Sequence, residues 1–323
     1  HLTKLCEGTE IMTPDISIVI PVYNEVENVP LLYRKLREDL SSLGRTYEII
    51  FIDDGSTDDT FAKLKEVQAN GDHIRIIKFR RNFGKAAALN TAFRQVKGEV
   101  VITMDGDLQD DSAEIPKFLD KIDEGYDLVS GWKYPRNDPL TKTAPSKVFN
   151  RLTCWMTGVN LHDFNCGFKA YKREVTDALH LYGELHRYTP VLANYYGFNI
   201  AEITVRHHPR EFGKSKYGAK RVIKGLLDLI TVKFLTSYAS RPLHVFGVPG
   251  ILSLLVGFFI GLYLVLLKYL RNIELSERPL LLLSILLILL GLQFFSIGLL
   301  GEMITSRGAR DGYPEHFVER ILE

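Results

Sequence analysis

The sequence predicts an α/β domain with a mostly parallel sheet, followed by an amphipathic interface helix and two transmembrane helices. Three observations predict it. Short apolar, β-branched runs alternate with helical segments from Ile16 to Gly131. The first four runs are followed by a cluster of Asp, Asn, Gly or Glu. Two long uncharged runs then follow towards the C-terminus.

Ile16–Pro21 reads as the first strand, and Val22-Tyr-Asn-Glu25 turns the chain into a helix from about Asn28 to Leu40. Tyr47–Ile52 is a second strand ended by Asp53-Asp-Gly-Ser56, with helix from about Asp58 to Asn70 closed by Gly71. Ile74–Phe79 is a third strand, and Asn82-Phe-Gly-Lys85 opens the alanine-rich helix Ala86–Val96. Val100–Thr103 is the fourth strand and stops at Asp105-Gly-Asp107. Helix Ala113–Glu124 and strand Asp127–Gly131 come next. Near-continuous apolar strands of this kind are buried on both faces of a parallel sheet.

That arrangement puts Tyr23/Glu25, Asp53/Asp54, Gly84/Lys85 and Asp105/Asp107 along one sheet edge. Ligands bind beyond the carboxyl ends of strands in open α/β sheets. Two carboxylates flanking Gly106 suit a hard divalent cation, which takes oxygen ligands together with substrate phosphates. Gly106 would let a ligand approach the backbone. Any one of these clusters is also ordinary turn chemistry; the argument rests on four in succession. Neither Gly-x-Gly-x-x-Gly nor Gly-x-x-x-x-Gly-Lys-Ser/Thr occurs after a strand, which disfavours a dinucleotide oxidoreductase and a P-loop enzyme.

Pro21-Val-Tyr-Asn-Glu25, Asp53-Asp-Gly-Ser56, Asn82-Phe-Gly-Lys85 and Asp105-Gly-Asp-Leu-Gln109 occur in this order. Together they resemble the GT-A domain of inverting glycosyltransferases of family 2. Asp163-Phe-Asn-Cys-Gly-Phe-Lys-Ala170 and Arg210-Glu-Phe-Gly-Lys-Ser-Lys-Tyr217 narrow the resemblance to the polyprenyl-phosphate branch. That branch includes dolichol-phosphate mannose synthase, and the overall layout is most similar to bacterial undecaprenyl-phosphate glucosyltransferases with two membrane spans. The motifs cover Ile16 to Tyr217 and encode no particular sugar.

Val245–Leu267 and Pro279–Gly301 carry no charge. Each is about 23 residues long, enough at ~1.5 Å per residue to cross a hydrocarbon core of about 30 Å. Gly257 and Gly261 form a Gly-x-x-x-Gly spacing that suggests a helix contact. From Arg206 to Lys224 there are seven Lys/Arg against one acid, Glu211. The positive-inside rule therefore places the catalytic domain and the C-terminal tail on the cytoplasmic side of the inner membrane. Ala219–Tyr238 reads as a basic amphipathic helix, with Ile223, Leu227, Ile230 and Phe234 as its apolar stripe. It is expected in the headgroup plane, the alternative being packing on the soluble domain. The expected divisions are 1–15 for a flexible start, 16–218 for the catalytic domain, 219–240 for the interface helix, 241–303 for the hairpin and 304–323 for the tail. Net charge is +1, so overall charge singles out no nucleic-acid partner. Cys6, Cys154 and Cys166 lack metal-ligand spacing and are expected as free thiols.

The resemblance implies transfer of a hexose, glucose from UDP-glucose in the first instance, to undecaprenyl phosphate. The runner-up is GDP-mannose with a dolichyl or other polyprenyl acceptor. It implies Mg²⁺ or Mn²⁺ on Asp105, Asp107 and Gln109. Pro21, Tyr23, Glu25, Asp53, Asp54, Gly84, Lys85, Asp105 and Gly106 match positions around the nucleotide sugar; Asp54 is less secure, because either acid of its pair could be the turn former. Asp107, Asp163 and Lys133 are the catalytic candidates. Lys133, Arg136, Arg206, Arg210, Ser215 and Lys216 are the candidates for holding the lipid phosphate, where charge and position matter more than a base. His207 and His208 have no acid or cysteine at ligand spacing. A homo-oligomer in the bilayer is expected. Two other readings compete. A processive polysaccharide synthase would carry Gln-x-x-Arg-Trp, yet neither Trp132 nor Trp155 follows an arginine. A non-catalytic membrane partner with an inactive transferase domain is opposed by the intact Asp105, Asp107 and Gln109.

Overall fold

The structure, a computed structural model, describes residues 13–134, 140–209, 220–238, 242–271 and 279–310. The chain divides into two compact units at Val232/Lys233.

Among its described residues the first unit carries seven strands: β1 (Ile16–Val22), β2 (Tyr47–Asp53), β3 (Ile74–Lys78), β4 (Val100–Thr103), β5 (Leu128–Lys133), β6 (Lys169–Lys172) and β7 (Ile200–Val205). They form one sheet in the order β3-β2-β1-β4-β6-β5-β7. Every pairing is parallel except those of β6, which runs antiparallel to β4 and β5. The carboxyl ends of the other six strands therefore share one edge with the amino end of β6. The alternation read from the sequence accounts for β1–β5 and for helices α1 (Asn28–Ser41), α2 (Thr60–Ala69), α3 (Lys85–Phe93) and α4 (Ile115–Asp123). The reversed strand β6 and helices α5 (Leu140–Thr157), α6 (Arg173–Ala178) and α7 (Thr189–Tyr195) carried no such signal.

Burial explains the continuous apolar strands. Alternate residues of β1, Ile18 and Ile20 on one face and Val19 on the other, feed two separate cores. The first core packs α1, α2 and α4 through Leu32, Leu36, Leu64 and Phe118. The second packs α3 and the α6–α7 region through Leu89, Phe93, Val175 and Tyr188.

Helix α8 (Lys220–Lys233) belongs mostly to this unit. Gly225, Leu229 and Val232 are buried, and the Tyr188 hydroxyl donates to the Gly225 carbonyl at 2.9 Å. Leu227 and Ile230 from the expected apolar stripe are 60% and 59% exposed. The helix thus has two apolar faces, one packed on the domain and one open.

The second unit is a helical hairpin of α9 (Val248–Arg271) and α10 (Pro279–Arg310). Leu243–Leu270 and Pro279–Ile304 are long and apolar enough to cross a membrane. Small residues set their approach: a Cβ on Gly291 would lie 2.6 Å from the Gly250 carbonyl oxygen, and one on Gly257 2.9 Å from that of Ser284. Ser284 and Ser253 hydroxyls donate across the pair to Gly257 and Leu287 carbonyls, both at 2.8 Å. Gly257 and Gly261 therefore contact the partner helix of the same hairpin.

Candidate functional site

At the end of β2, Asp53 and Asp54 separate in role. Asp53 is fully buried; Oδ1 accepts the Ser56 amide at 2.8 Å, and Oδ2 has no hydrogen-bond partner among the described residues. Asp54 accepts the amides of Phe83 and Gly84 at 2.7 and 2.9 Å, so both its oxygens hold the loop before α3. Burial pushes its carboxyl up, against those two amides. Asp54 is thus the loop former and Asp53 offers the open acceptor. Gly84 sits at φ 91°, a conformation that favours glycine, just before the first residue of α3, Lys85.

The β1 end is knitted to the same loop. The Asn24 amide donates to Ser56 Oγ at 3.0 Å, and the Glu25 amide to Thr60 Oγ1 at 2.9 Å. Pro21, Tyr23 and Glu25 are half-buried along this edge. Gly106 faces it: a Cβ there would lie 2.7 Å from Val22 Cγ1. Its missing side chain admits β1, where the sequence had suggested a ligand.

Asp105, Asp107 and Gln109 follow β4. The Asp105 carboxylate is 31% exposed and ion-paired to Lys85. Burial pushes its pKa upward, but Lys85 and then Lys133 outweigh that and hold it well below the usual carboxylate range. Asp107 is 8% exposed, and its Oδ1 accepts the Gln109 amide at 3.3 Å. The left-handed Leu108 (φ 59°) makes that turn. Two carboxylates and an amide oxygen are a donor set suited to Mg²⁺ or Mn²⁺, which needs only one or two carboxylates besides phosphate and water. Among the described residues no three His, Cys, Asp or Glu converge as a cage of their own.

Lys133, at the end of β5, turns inward. Its ammonium lies 2.9 Å from Asp110 Oδ1, with 12% and 0% of the two side chains exposed. Burial opposes its charge, yet Asp110 holds it protonated. Asp110 Oδ2 also accepts the Asp105 amide at 3.2 Å. Asp163 is 1% exposed and its Oδ1 accepts the Asn165 amide at 3.0 Å, a turn contact. Arg206 is largely exposed, 3.4 Å from Glu114. Arg136, Arg210, Ser215 and Lys216 lie outside the described residues.

Several groups at this edge were not among the site candidates drawn from the sequence. An antiparallel bridge pairs Asp110 with His207, and the His208 amide donates to the Gln109 carbonyl at 3.0 Å. This places His207 Nε2 3.5 Å from Gln109 Nε2. His208 Nε2 lies 3.1 Å from Asp111, which Lys35 also pairs at 2.8 Å. Lys169, at the start of β6, is buried and donates to the Cys166 and Phe164 carbonyls. Burial drops its pKa to about 8. His186 is likewise held well below its ordinary value, by burial and then by Lys85, Arg187 and Lys169. Gly167 lies against the Lys85–Asp105 pair. Cys166, a free thiol, is pushed up to about 12 by burial.

Comparison with known proteins bears on the family and the fold. Residues 17–179 match Glycosyl transferase family 2. Two proteins of Klebsiella pneumoniae, from strain 342 and from subsp. pneumoniae strain ATCC 700721 / MGH 78578, are each 38% identical over 311 residues, covering 95% of this chain and 93% of theirs. Both are undecaprenyl-phosphate 4-deoxy-4-formamido-L-arabinose transferases. Among solved structures, glucosyl-3-phosphoglycerate synthase from Mycobacterium tuberculosis, with Mn²⁺, UDP and glucosyl-3-phosphoglycerate, superposes with a TM-score of 0.54 at 18% identity. The match covers 69% of this chain and 80% of that one. The same enzyme with Mg²⁺ and UDP gives 0.52 at 20% identity, over 67% and 79%. These likenesses establish the GT-A fold, with the cation and nucleotide belonging to that enzyme. The chain belongs to glycosyl transferase family 2, in the company of polyprenyl-phosphate glycosyltransferases.

Proposed function

We propose that this chain transfers a sugar from a nucleotide diphosphate to undecaprenyl phosphate, with inversion at the anomeric carbon. The observation that carries this reading is a juxtaposition. A buried oxygen of Asp53, without a hydrogen-bond partner among the described residues, shares one sheet edge with Asp105, Asp107 and Gln109. A buried acceptor left unmade costs about 1–3 kcal/mol, which a donor N–H or hydroxyl of the nucleoside would recover. The relatives shift the first choice of sugar from glucose to 4-deoxy-4-formamido-L-arabinose, with UDP kept as the first-choice nucleotide from the sequence reading.

The acceptor is a phosphate monoester with a second pKa of about 6, so it is largely dianionic at neutral pH. One of its oxygens attacks the anomeric carbon from the side opposite the nucleotide. The anomeric C–O bond breaks, and the nucleoside diphosphate leaves with that electron pair. No proton moves, so the site needs orientation and positive charge more than a base. Lys85 supplies charge at the diphosphate, and Lys133 stands behind it. When bound, Mg²⁺ or Mn²⁺ held by Asp105, Asp107 and Gln109 neutralises charge on the leaving group. Asp163 acts by position, shaping the turn beside Lys169. Arg206, exposed and charged, is the described candidate for meeting the lipid phosphate, and Arg136, Arg210, Ser215 and Lys216 are the further candidates from the sequence.

The two apolar helices and the open Leu227/Ile230 face of α8 support a site at the bilayer surface. The basic stretch before the spans supports the cytoplasmic side, with a homo-oligomer as the working assembly. The test is a donor panel: detergent-solubilised chain, Mg²⁺ or Mn²⁺, undecaprenyl phosphate, and labelled UDP-4-deoxy-4-formamido-L-arabinose, UDP-glucose or GDP-mannose. Lipid-extractable label from the first donor, abolished in Asp107→Ala, is expected. Label from UDP-glucose or GDP-mannose alone overturns the sugar assignment. Label from none favours the inactive-domain alternative.

A further inference from the structure

The Lys85–Asp105 contact sits in an unusual charge balance. Asp105 meets the Lys85 ammonium directly and is also held by the charge of Lys133. Lys133 is fixed by the fully buried Asp110, so it stays where it is. Lys169 lies deeper, donating to the Cys166 and Phe164 carbonyls. On the other side, Gly167 backs onto both partners, with a Cβ there only 2.6 Å from Asp105 Oδ2 and 2.7 Å from Lys85 Nζ. Of the lysines around Asp105, Lys85 is the most exposed, at 27%, and stands on the first residue of α3. It alone combines a flexible stem with an open path.

A divalent cation entering this arrangement meets ammonium groups at close range, with Asp105 already neutralised. Like charges repel strongly at such range in a partly desolvated site, and a dication is repelled twice as strongly as a single charge. An arriving diphosphate reverses the balance, because it brings negative charge for both the ion and the displaced ammonium.

Taking Asp105 as a cation ligand, we propose that Lys85 occupies the place of the divalent cation on Asp105 and is exchanged for it when the nucleotide diphosphate binds. Cation and nucleotide then bind as a pair, and Lys85 moves from carboxylate to phosphate. This makes Lys85 the residue that prevents the cation from binding alone.

The test reads Mn²⁺ binding by electron paramagnetic resonance on the detergent-solubilised chain, with and without UDP. In the native chain UDP tightens Mn²⁺ at least tenfold, and by linkage Mn²⁺ tightens UDP by the same factor. Lys85→Met raises Mn²⁺ affinity without UDP about tenfold and shrinks the coupling. Lys85→Arg, which keeps the charge, stays within about threefold of the native chain. Unchanged or weaker UDP-free Mn²⁺ binding in Lys85→Met overturns the exchange. So does equal tightening in Lys85→Arg, which would make the effect one of shape. Asp107→Ala separates the two levels: Mn²⁺ binding that survives it in the presence of UDP refutes the cation site itself, and the exchange with it.

Discussion

Replacing Gly167 with alanine tests the geometry of the site with a single methyl group. Gly167 does not have a positive φ, so the substitution acts through space and not through backbone strain. The added Cβ would lie 2.6 Å from Asp105 Oδ2, 2.8 Å from its Cγ and 2.7 Å from Lys85 Nζ. Ordinary contact begins near 3.4 Å, so the pair must retreat by about 0.8 Å. Both displaced groups are side-chain ends with some exposure, so the fold yields at little cost. The site does not: a misplacement of about 1 Å can cost on the order of 10²-fold in rate, or about 2.7 kcal/mol of transition-state stabilisation. We expect kcat/KM for lipid-linked sugar formation to fall about 30- to 100-fold, with Tm within about 2 °C of the native chain. Activity within threefold of native would refute the placement of Asp105 at the reacting diphosphate. A Tm loss of about 8 °C or more, in step with activity, would make Gly167 a folding residue.

Asp53→Asn removes the charge from the open acceptor; UDP affinity measured by calorimetry is expected to fall at least about tenfold, the scale of a hydrogen bond to a charged group, and an unchanged affinity would remove Asp53 from the nucleotide site. Asp110→Asn leaves the Lys133 ammonium buried without its counter-charge, which should cost about 3 kcal/mol in chemical denaturation; adding Lys133→Met should recover most of it, and a double variant as unstable as the single one would contradict the pairing. Burial works to raise the Asp111 carboxyl, but hydrogen bonds from Lys35 and His208 hold it down at about 2. Its folded value lies below its unfolded one, so its contribution is present above about pH 4 and is lost as pH falls towards 2. Thermal melts from pH 5 to 2 should show that loss, and Asp111→Asn should flatten it.

Much of the site was legible because turn chemistry is local. Asp53, Asp54, Asp105 and Asp107 stand where apolar runs stop, and parallel strands bring such stops together whatever the loops do. The choice between Asp53 and Asp54 was not legible. It depends on which carboxylate meets the amides of Phe83 and Gly84, 29 and 30 residues away. Lys133 read as a catalytic or lipid-phosphate-binding cation, and nothing near it in sequence reveals that Asp110 lies 2.9 Å away. The Gly106 gap was visible, but what fills it was not.

The sequence by itself determined the alternating sheet, the polar edge where its strands end, the family and the two apolar spans. Periodicity, strand-ending residues and uncharged length are properties of consecutive positions. Tertiary structure decided the rest. The reversed strand β6 and the turn before it carry Lys169 and Gly167 into the edge, and the bridge beyond β7 sets His207 beside Gln109. Helix α8 divides its apolar residues between the domain and an open face. In each case the deciding quantity is a distance between groups far apart in the chain, set by how two cores close on one sheet.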